Sequence, residues 1–404
     1  MERANAMKSE NMKRILIVIN SLSYGGIQRA LLNLLHELAD DRRYDVTLLL
    51  IRNKGPYRDQ IPAGIRVMEA NRFWALLETS NREIRMENKL LWLVRGMLAT
   101  LMKTGHRKAV IRILALSQKS VGEYDAAISY RQPDIEREMP GGVNEFVLFC
   151  CKAAKKITFV HCDYLKYGGH GAYNDRLLSA FDRIAVVSKG CGSILLEALP
   201  NLKQKTHCVY NCHHYNEIRR LANVNTVLYN HEIPVFVTVC RLGPEKGVLR
   251  MLDVLESLVR EGLRFCWHIV GDGEERTRID KAIVDHGLGE YVRLEGPSLN
   301  PYRYMKDADF FLLTSIHEAA PMVIGEALCL GVPVISTRTS SADELIDRDV
   351  GIVCDNTSEA IYETLKMVFA DNQHILVSLK NALRCRNNNN NVAMAQFYKL
   401  LEGI

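Results

Sequence analysis

The sequence predicts an α/β protein built from two Rossmann-like domains, each a doubly wound parallel sheet. Its 404 residues exceed one typical domain, and 48% hydrophobic residues are enough for two cores. Short apolar runs alternate with amphipathic helical segments. This alternation restarts after a polar stretch at 216–232. Ligands are therefore expected where the carboxyl ends of both sheets face a central cleft.

Residues 1–215 are expected to form the first domain, with 1–12 disordered. Its apolar runs are short and bounded by turn-forming residues, which is typical of buried parallel strands. The predicted strands are RILIVIN (14–20), DVTLLLI (45–51), DAAISY (125–130), KITFVH (156–161) and RIAVVS (183–188). A helix is predicted after the first strand by apolar residues at helical spacing, namely Ile27, Leu31, Leu34, Leu35 and Leu38.

The second domain is expected over 233–386, after a linker at 216–232. The predicted strands are PVFVTVC (234–240), FCWHIVG (265–271), VRLEG (292–296), DFFLLTS (309–315) and VPVIST (332–337). An amphipathic helix is predicted at 248–261. Residues 387–404 are predicted to hold a loop and a last helix (392–402) that could cross back to the first domain.

The eleven cysteines are scattered, and no apolar run reaches eighteen residues. With no signal peptide apparent, we expect a cytoplasmic protein. Cys208, Cys212, His213 and His214 resemble part of a metal cluster. Because no second ligand pair follows at zinc-finger spacing, we expect no metal site.

Charge is distributed unequally along the chain. Through residue 220 there are 34 Lys and Arg against 22 Asp and Glu, a net charge of +12, whereas the remainder carries 18 against 25, or −7. The first half should therefore face an anionic partner. We expect no nucleic-acid partner.

Residues 84–115 combine an apolar stripe with many basic residues. The stripe consists of Leu90, Val94, Met97, Leu98, Leu101 and Met102, and the basic residues include Lys103, Arg107, Lys108 and Arg112. Such a segment is either a helix packed on its own domain or a helix lying in the headgroup layer of an anionic membrane.

The stretch CRLGPEKG (240–247) follows a predicted strand and precedes a predicted helix. Arg241 and Lys246 are two cations five residues apart, beside the free N–H groups of a helix N-terminus. This arrangement can hold a diphosphate, although a solvated surface pair would give the same pattern.

The stretch HEAAPMVIGEALCLGVPVIS (317–336) places Glu318 and Glu326 eight residues apart around Pro321. Proline suits the first turn of a helix, which Gly331 would end. Val323, Ile324, Ala327 and Leu328 are expected on the buried face, with Glu326 off it. A carboxylate there can accept two hydrogen bonds from a ribose diol, with a helix-terminal charge as the alternative interpretation.

Seven motifs occur in a fixed order along the chain: GGIQR (25–29), HCD (161–163), VVS (186–188), RLGPEKG (241–247), VGDGEE (270–275), NPYRYMKDAD (300–309) and E-x7-E (318–326). Together they resemble the retaining glycosyltransferases of family 4, which have the GT-B fold, and especially bacterial enzymes of capsular and exopolysaccharide assembly. Gln28 and Ala319 depart from that pattern, where Glu and Gly are common.

The resemblance implies a role for each matching residue. In the second domain Arg241 and Lys246 would bind the donor diphosphate, Glu326 the ribose and Glu318 the donor sugar. The backbone would contact sugar and phosphates at Ala320, Pro321, Met322 and Val323, and the base at Ser298 and Leu299. In the first domain Gly25 and Gly26 would let backbone approach the diphosphate and the reaction centre, and His161 would hydrogen-bond the transferred sugar.

The resemblance also implies retention of anomeric configuration without a divalent metal or other cofactor. It favours a UDP-sugar over GDP-mannose as donor, a lipid-linked saccharide as acceptor and a place on the inner face of the membrane. The Asp-x-Asp matches at 307–309 and 347–349 are rejected as metal sites, because the first joins a helix to a strand and the second lies in a polar turn.

Three other functions were weighed. A dinucleotide-dependent dehydrogenase should show G-x-G-x-x-G after a strand, which neither Gly25-Gly26 nor GDGEE (271–275) provides. A non-catalytic nucleotide-binding module should have lost Arg241, Lys246 or Glu326, and all three residues are present. A nucleotide-sugar epimerase of the same fold remains open.

Overall fold

A computed structural model describes residues 12–136, 139 and 141–403. Residues 1–11, which belong to the segment expected to be disordered, lie outside the described residues. The chain divides into two compact units. The first contains the described residues through Cys212 together with 390–403, and the second is His213–Asn389.

The first unit is built on a seven-stranded sheet in which every neighbouring pair is parallel. Its order is β3-β2-β1-β4-β5-β6-β7. The strands are β1 (Lys13–Ile19), β2 (Tyr44–Leu50), β3 (Arg66–Glu69), β4 (Glu123–Ser129), β5 (Lys152–Val160), β6 (Arg183–Val186) and β7 (Thr206–Cys208). The five strands predicted from apolar runs are confirmed. The short edge strands β3 and β7 were not predicted, because neither carries a continuous apolar run.

Helices cover this sheet and supply the other half of its core. They are α1 (Gly26–Ala39), α2 (Arg72–Glu78), α3 (Asn81–Glu87), α4 (Lys89–Leu101), α5 (Arg107–Ser117), α6 (Val143–Cys150), α7 (Ala172–Ser179) and α8 (Lys189–Ala198). One core cluster centres on Trp74, which is fully buried and meets the Phe146 ring edge-on at 5.1 Å. The Trp74 Nε1–H donates to the Leu114 carbonyl, so its polar atom is satisfied.

The second unit has a six-stranded parallel sheet of order β10-β9-β8-β11-β12-β13. Its strands are β8 (Val235–Val239), β9 (Cys266–Val270), β10 (Val292–Gly296), β11 (Phe310–Leu313), β12 (Val334–Thr337) and β13 (Gly351–Cys354). The predicted second Rossmann-like sheet is thus confirmed, with β13 added at the edge. Apolar clusters lie on both faces of the sheet, as a doubly wound fold requires.

The helices after Cys212 are α9 (Tyr215–Ala222), α10 (Val248–Arg260), α11 (Arg276–Asp285), α12 (Tyr302–Met305), α13 (Met322–Cys329), α14 (Ala342–Leu345), α15 (Ser358–Ala370), α16 (Asn372–Arg384) and α17 (Asn391–Leu400). The structure differs from the sequence analysis at the linker expected over 216–232. Helix α9 occupies its first part, and Ile218 and Ala222 are buried in the core of the second unit. Two apolar residues in a polar stretch were too few to predict this amphipathic helix.

The last helix, α17, belongs to the first unit. Phe397 and Leu400 are fully buried, and the Tyr398 ring stacks on Tyr44 at 6.0 Å. Arg183 donates from Nη1 to the Leu400 carbonyl at 2.5 Å and from Nη2 to the Glu402 carbonyl at 2.8 Å. These bonds satisfy carbonyls at the helix C-terminus, which have no partner within the helix.

Segment 84–115 packs one face into the core of the first unit. Leu98 and Met102 are buried, whereas Leu90 and Met97 of the predicted stripe are exposed. Arg107, one of the basic residues that would suit a membrane surface, does not face solvent. It is buried and pairs with buried Glu145 at 2.9 Å. A buried charge requires such a partner, so Arg107 cannot also serve a membrane surface.

Candidate active site

The loop after β8 holds the two cations that were expected to bind a diphosphate. A 3₁₀ turn, Pro244–Lys246, leads into α10 through Gly247. Arg241 lies at the start of the loop with its side chain 65% exposed, and it pairs with Glu245 at 2.6 Å. Lys246 lies at the end of the turn and is half-buried. The loop therefore presents one exposed and one half-buried cation at the carboxyl edge of the sheet.

Lys246 and Glu318 form the central contact of the second unit's candidate site. Lys246 Nζ lies 2.5 Å from Glu318 Oε1, with the two side chains 20% and 12% exposed. Ser315 Oγ donates to the same carboxylate oxygen at 2.8 Å. The structure thus brings together two residues that are 72 positions apart in sequence. Their charges are matched at a place where both side chains have lost most of their hydration.

Backbone packing fixes the position of Lys246. Gly247 has φ +65°, and a Cβ there would lie 2.3 Å from the Thr314 carbonyl oxygen. The Thr314 hydroxyl donates to the Lys246 carbonyl at 2.8 Å. Only glycine can combine this left-handed backbone with so close an approach. The loops after β8 and β11 are therefore locked together directly behind the ion pair.

The glycines of the VGDGEE motif pack against the loop after β8. A Cβ at Gly271 would lie 1.8 Å from the Cys240 carbonyl oxygen, and one at Gly273 would lie 2.4 Å from that of Leu242. The backbone N–H of Leu242 donates to the Asp272 carbonyl at 2.9 Å. This motif therefore shapes the cation-bearing loop by close backbone contact.

Helix α13 begins after Pro321, its N-cap residue, so Pro321 precedes the first turn. The backbone groups at Ala320, Pro321, Met322 and Val323 surround this helix start. Met322 also offers its carbonyl to His213 Nε2 at 3.1 Å. Gly325, one turn further, faces the same imidazole, because a Cβ there would lie 2.5 Å from His213 Nε2. A side chain outside the sequence motifs thus contacts the expected phosphate-binding helix.

Glu326 differs from its expected position off the buried face of α13. It is 6% exposed and accepts a hydrogen bond from the buried Tyr302 hydroxyl at 3.3 Å. The reason is that α13 packs against both β12 and α9, which leaves little of its surface to solvent. Val323, expected to be buried, is only partly so. A desolvated carboxylate at 326 still offers acceptors for a diol.

Ser298 and Leu299, expected to contact the base through backbone, follow β10. Ser298 Oγ accepts a hydrogen bond from the Asn300 N–H at 3.2 Å, and Leu299 is 80% exposed. The Ser298 side chain is thus used to shape its own turn. Its backbone lies at the same carboxyl edge of the sheet as Lys246 and Glu318.

In the first unit His161 directly follows β5. Its ring packs on Tyr130 and Phe159, with centroids 4.8 and 5.6 Å away. Burial, reinforced by the nearby Arg131 cation, lowers the pKa of His161 to about 3. Its Nε2 atom is buried and has no hydrogen-bond partner among the described residues. His161 is therefore a neutral imidazole with one nitrogen available for a ligand.

Gly25 and Gly26 connect β1 to α1, and both are exposed. Gly25 is the N-cap residue, with an extended backbone and no side-chain cap. A Cβ at Gly25 would lie 2.5 Å from Gln28 Oε1. The first N–H groups of α1 thus lack a capping side chain, which is the arrangement that favours an anion.

A charged cluster beside His161 was not predicted from the sequence. Arg131 pairs with Asp134 at 2.9 Å, and Gln132 Oε1 accepts from the His161 N–H at 3.3 Å. Burial raises the pKa of the nearby Glu78, which accepts from Asn20 Nδ2. The signal available in the sequence was RQPD (131–134) immediately after an apolar strand. These residues follow the carboxyl end of a parallel strand, which is where ligands bind in sheets of this kind.

Two absences concern only the residues that the structure describes. No three or more His, Cys, Asp or Glu side chains among them lie close enough to hold a metal ion. Within the same residues, every helix is too short or too polar to cross a membrane.

The second half of the chain is similar to known glycosyltransferases. Residues 223–392 match the model of the family described as glycosyl transferases group 1. The chain is 26% identical over 194 residues to an uncharacterized glycosyltransferase of Methanocaldococcus jannaschii, covering 45% of this chain and 48% of that protein. It is 32% identical over 128 residues to the amylovoran biosynthesis glycosyltransferase AmsK of Erwinia amylovora, covering 30% and 31%. The chain thus spans about half or less of the curated relatives it matches.

Solved structures resemble the chain over nearly its whole length. The HepE protein of Anabaena, crystallised in complex with UDP and glucose, aligns with a TM-score of 0.65 at 18% identity, covering 97% of this chain and 100% of that one. At this identity the likeness establishes the fold, which is the two-domain GT-B fold predicted from the motifs. Arg241, Lys246, Glu318 and Glu326 all lie in the segment 223–392, which matches the group 1 glycosyl transferase model.

Proposed function

We propose that this protein is a retaining glycosyltransferase that moves a sugar from a nucleoside diphosphate sugar to a saccharide acceptor in cell-surface polysaccharide synthesis. The observation that carries the proposal is the Lys246–Glu318 pair, held by Ser315 and locked behind by Gly247. It lies in the segment that matches the model of the group 1 glycosyl transferases. Relatives named for amylovoran and colanic acid biosynthesis support the polysaccharide context.

The chemistry requires charge stabilisation on the leaving group. As the bond from the anomeric carbon to the diphosphate oxygen breaks, negative charge accumulates on the diphosphate. Lys246 and Arg241, with the N–H groups at the start of α13, are placed at one sheet edge where they can stabilise this charge. We propose that they perform the task that a divalent metal performs in other transferases, and that no metal is required.

Retention follows if the acceptor attacks from the face that the diphosphate leaves. The acceptor hydroxyl forms the new bond to the anomeric carbon, and its proton passes to the departing phosphate oxygen. Neutral His161, with Nε2 available, would donate a hydrogen bond to the sugar in transit. Glu318 would hold the donor sugar, and Glu326 the ribose diol.

We further propose a UDP-sugar as donor, a lipid-linked saccharide as acceptor, and a place on the cytoplasmic face of the membrane. The HepE complexes with UDP support the base assignment, since they share the fold. The net charge of +12 through residue 220 supports an anionic surface as partner of the first unit.

The test is a screen for nucleotide release across UDP-, GDP- and ADP-sugars, with wild type and Lys246→Ala. We expect slow release of UDP from one UDP-sugar by wild type only. Conversion of the donor to its epimer without release would identify an epimerase instead. Donor binding without any turnover, with and without saccharide acceptors, would identify a non-catalytic module.

A further inference from the structure

A groove on the outer surface of the first unit combines cationic and apolar walls. It lies between α5, α6 and α7 and has a cavity volume of about 270 Å³. Three cationic side chains line it, Lys108, Arg112 and Arg176. Most of the remaining wall is apolar, including Ile111 and Leu148. It shares no residue with the candidate active site.

The three cations of this groove are not neutralised by the protein. None of their side chains forms a hydrogen bond or ion pair with a described residue, whereas adjacent Arg107 is already paired with Glu145. Lys108 also lies in the first turn of α5, where the helix dipole adds positive potential. The groove therefore has an uncompensated positive charge that an anion would relieve.

Exposed apolar side chains surround the same cations. Ile113 and Leu116 on α5 are 61% and 88% exposed, and Phe149 on α6 is 58% exposed. Leu116 is four residues after Arg112 and three after Ile113, so it neighbours both side chains on the surface of α5. A free phosphate would use the cations but not these side chains. A bilayer surface uses both, because apolar residues enter the acyl boundary while Lys and Arg meet the headgroups.

We propose that this groove is a binding site for the headgroup of an acidic phospholipid, and that Phe149 and the exposed face of α5 enter the bilayer surface around it. The inference rests on the proposed membrane location and deepens it, since it names the residues and the lipid class. It also moves the contact from the stripe at 90–102 to α5, α6 and α7.

The experiment is sedimentation of the full chain with vesicles of phosphatidylcholine alone and with added phosphatidylglycerol. Four proteins are compared: wild type, the groove variant Lys108→Ala/Arg112→Ala/Arg176→Ala, the charge-matched control Lys13→Ala/Arg42→Ala/Lys203→Ala, and Phe149→Ser. All six positions of the triple variants are exposed, so we expect both triple variants to fold, which a thermal melt checks. Each preparation is also assayed for nucleotide release, which reports the proposed function independently.

We expect wild type and control to bind the acidic vesicles and to be released by salt. Each cation near the surface contributes up to about fivefold to partitioning of the protein onto acidic vesicles. The groove variant lacks three, so its partitioning should fall on the order of 100-fold. Phe149→Ser should weaken binding to both vesicle types. Nucleotide release from a soluble donor should be unchanged in all of these variants.

Four results would overturn the proposal. Equal losses in the groove variant and the control would mean diffuse charge rather than a site. Absence of wild-type sedimentation with acidic vesicles would remove the membrane location as well, while nucleotide release would still stand on its own. Stronger release by inorganic phosphate than by chloride of equal ionic strength would assign the groove to a free anion. Self-association without vesicles, abolished by the groove variant, would assign it to a protein interface.

Discussion

The two units fix their expected site residues by opposite physical means. In the second unit Lys246 is held by charge, through Glu318 at 2.5 Å, and its neighbours are polar. In the first unit His161 is held by burial, between aromatic rings, and its pKa is lowered to about 3. Burial thus keeps the His161 imidazole neutral, whereas Lys246 presents a charge that is paired with a carboxylate.

This difference corresponds to two chemical tasks. A leaving diphosphate needs a fixed positive charge, which an ion pair can supply once the ligand competes for it. A sugar hydroxyl needs a neutral hydrogen-bonding group that does not attract water or stray anions. The contrast predicts two different effects. Replacing Lys246 should lower the rate of transfer, whereas replacing His161 should change how stability depends on pH.

The largest expected effect tests the charge half of the comparison. Lys246→Ala should lower kcat/KM for transfer by about 2–4 kcal/mol in transition-state stabilisation, roughly 30- to 1000-fold, because the departing diphosphate loses its fixed cation. The measurement is steady-state kinetics with the donor found in the nucleotide screen. Lys281→Ala, an exposed lysine on α11, is the matched control and should behave as wild type. Near-normal kinetics for Lys246→Ala would remove this residue from the site.

A second prediction concerns the backbone behind that cation. Gly247→Ala adds a left-handed backbone cost of about 1–2 kcal/mol and an overpacking cost of about 1–3 kcal/mol against the Thr314 carbonyl. Gly262→Ala is the control, since Gly262 has φ +83° but no neighbour within 4 Å, and it should show only the first cost. Chemical denaturation compares the two. Equal destabilisation would mean that the two loops are not locked there.

The third prediction tests the burial half. Because the pKa of His161 lies below its ordinary value of 6.5, the unfolded chain binds the proton more readily. Stability from this group is therefore present above pH 6.5 and falls, by up to about 1.4 kcal/mol per pH unit, as pH drops toward 3. His161→Gln should flatten the fall in melting temperature between pH 6.5 and 4.5. His374→Gln, at a side chain 91% exposed, should not. Parallel profiles for wild type and His161→Gln would contradict the buried neutral imidazole.

The smallest expected effect is that of removing metal ions, which should leave the transfer rate unchanged. If Arg241 and Lys246 carry the leaving-group charge, transfer rates should be the same with and without EDTA. Assays in chelator, followed by addition of Mn²⁺ or Mg²⁺, check this. An activity lost in EDTA and restored by Mn²⁺ would break the comparison, because charge in the second unit would then come from a metal.

The sheet cores were predictable because their signal is local. Nine of the ten predicted strands contain an apolar run and β10 (VRLEG) alternates, and the structure confirms all ten close to the predicted bounds. Edge strands β3 and β7 are short and mixed in polarity, and β13 (GIVC) is apolar but only four residues long, so little local signal separates them from loops. Helix α9 was missed for a related reason, since its buried face consists of Ile218 and Ala222 alone.

For the candidate site, the order of the motifs along the chain predicted where the residues lie, but it did not predict which side chains contact each other. Motif position predicted that Lys246 and Glu318 lie at one sheet edge, yet no periodicity shows that a lysine 72 positions away meets that carboxylate. The burial of Glu326 depends on α9, which was not predicted, and the hydrogen bond from the His161 N–H to Gln132 joins residues 29 positions apart. Contacts that join distant segments require the fold itself.

The placement of α17 has a consequence for synthesis of the protein. Since 390–403 complete the first unit, the whole of His213–Asn389 is an insertion within it. On the ribosome, the nascent first unit lacks Phe397, Leu400 and the carbonyls that Arg183 binds until residues 390–403 have been synthesised. The second unit can fold earlier, from one uninterrupted stretch. A premature stop near the C-terminus should therefore damage the unit that contains His161 and leave the unit that contains Lys246 folded.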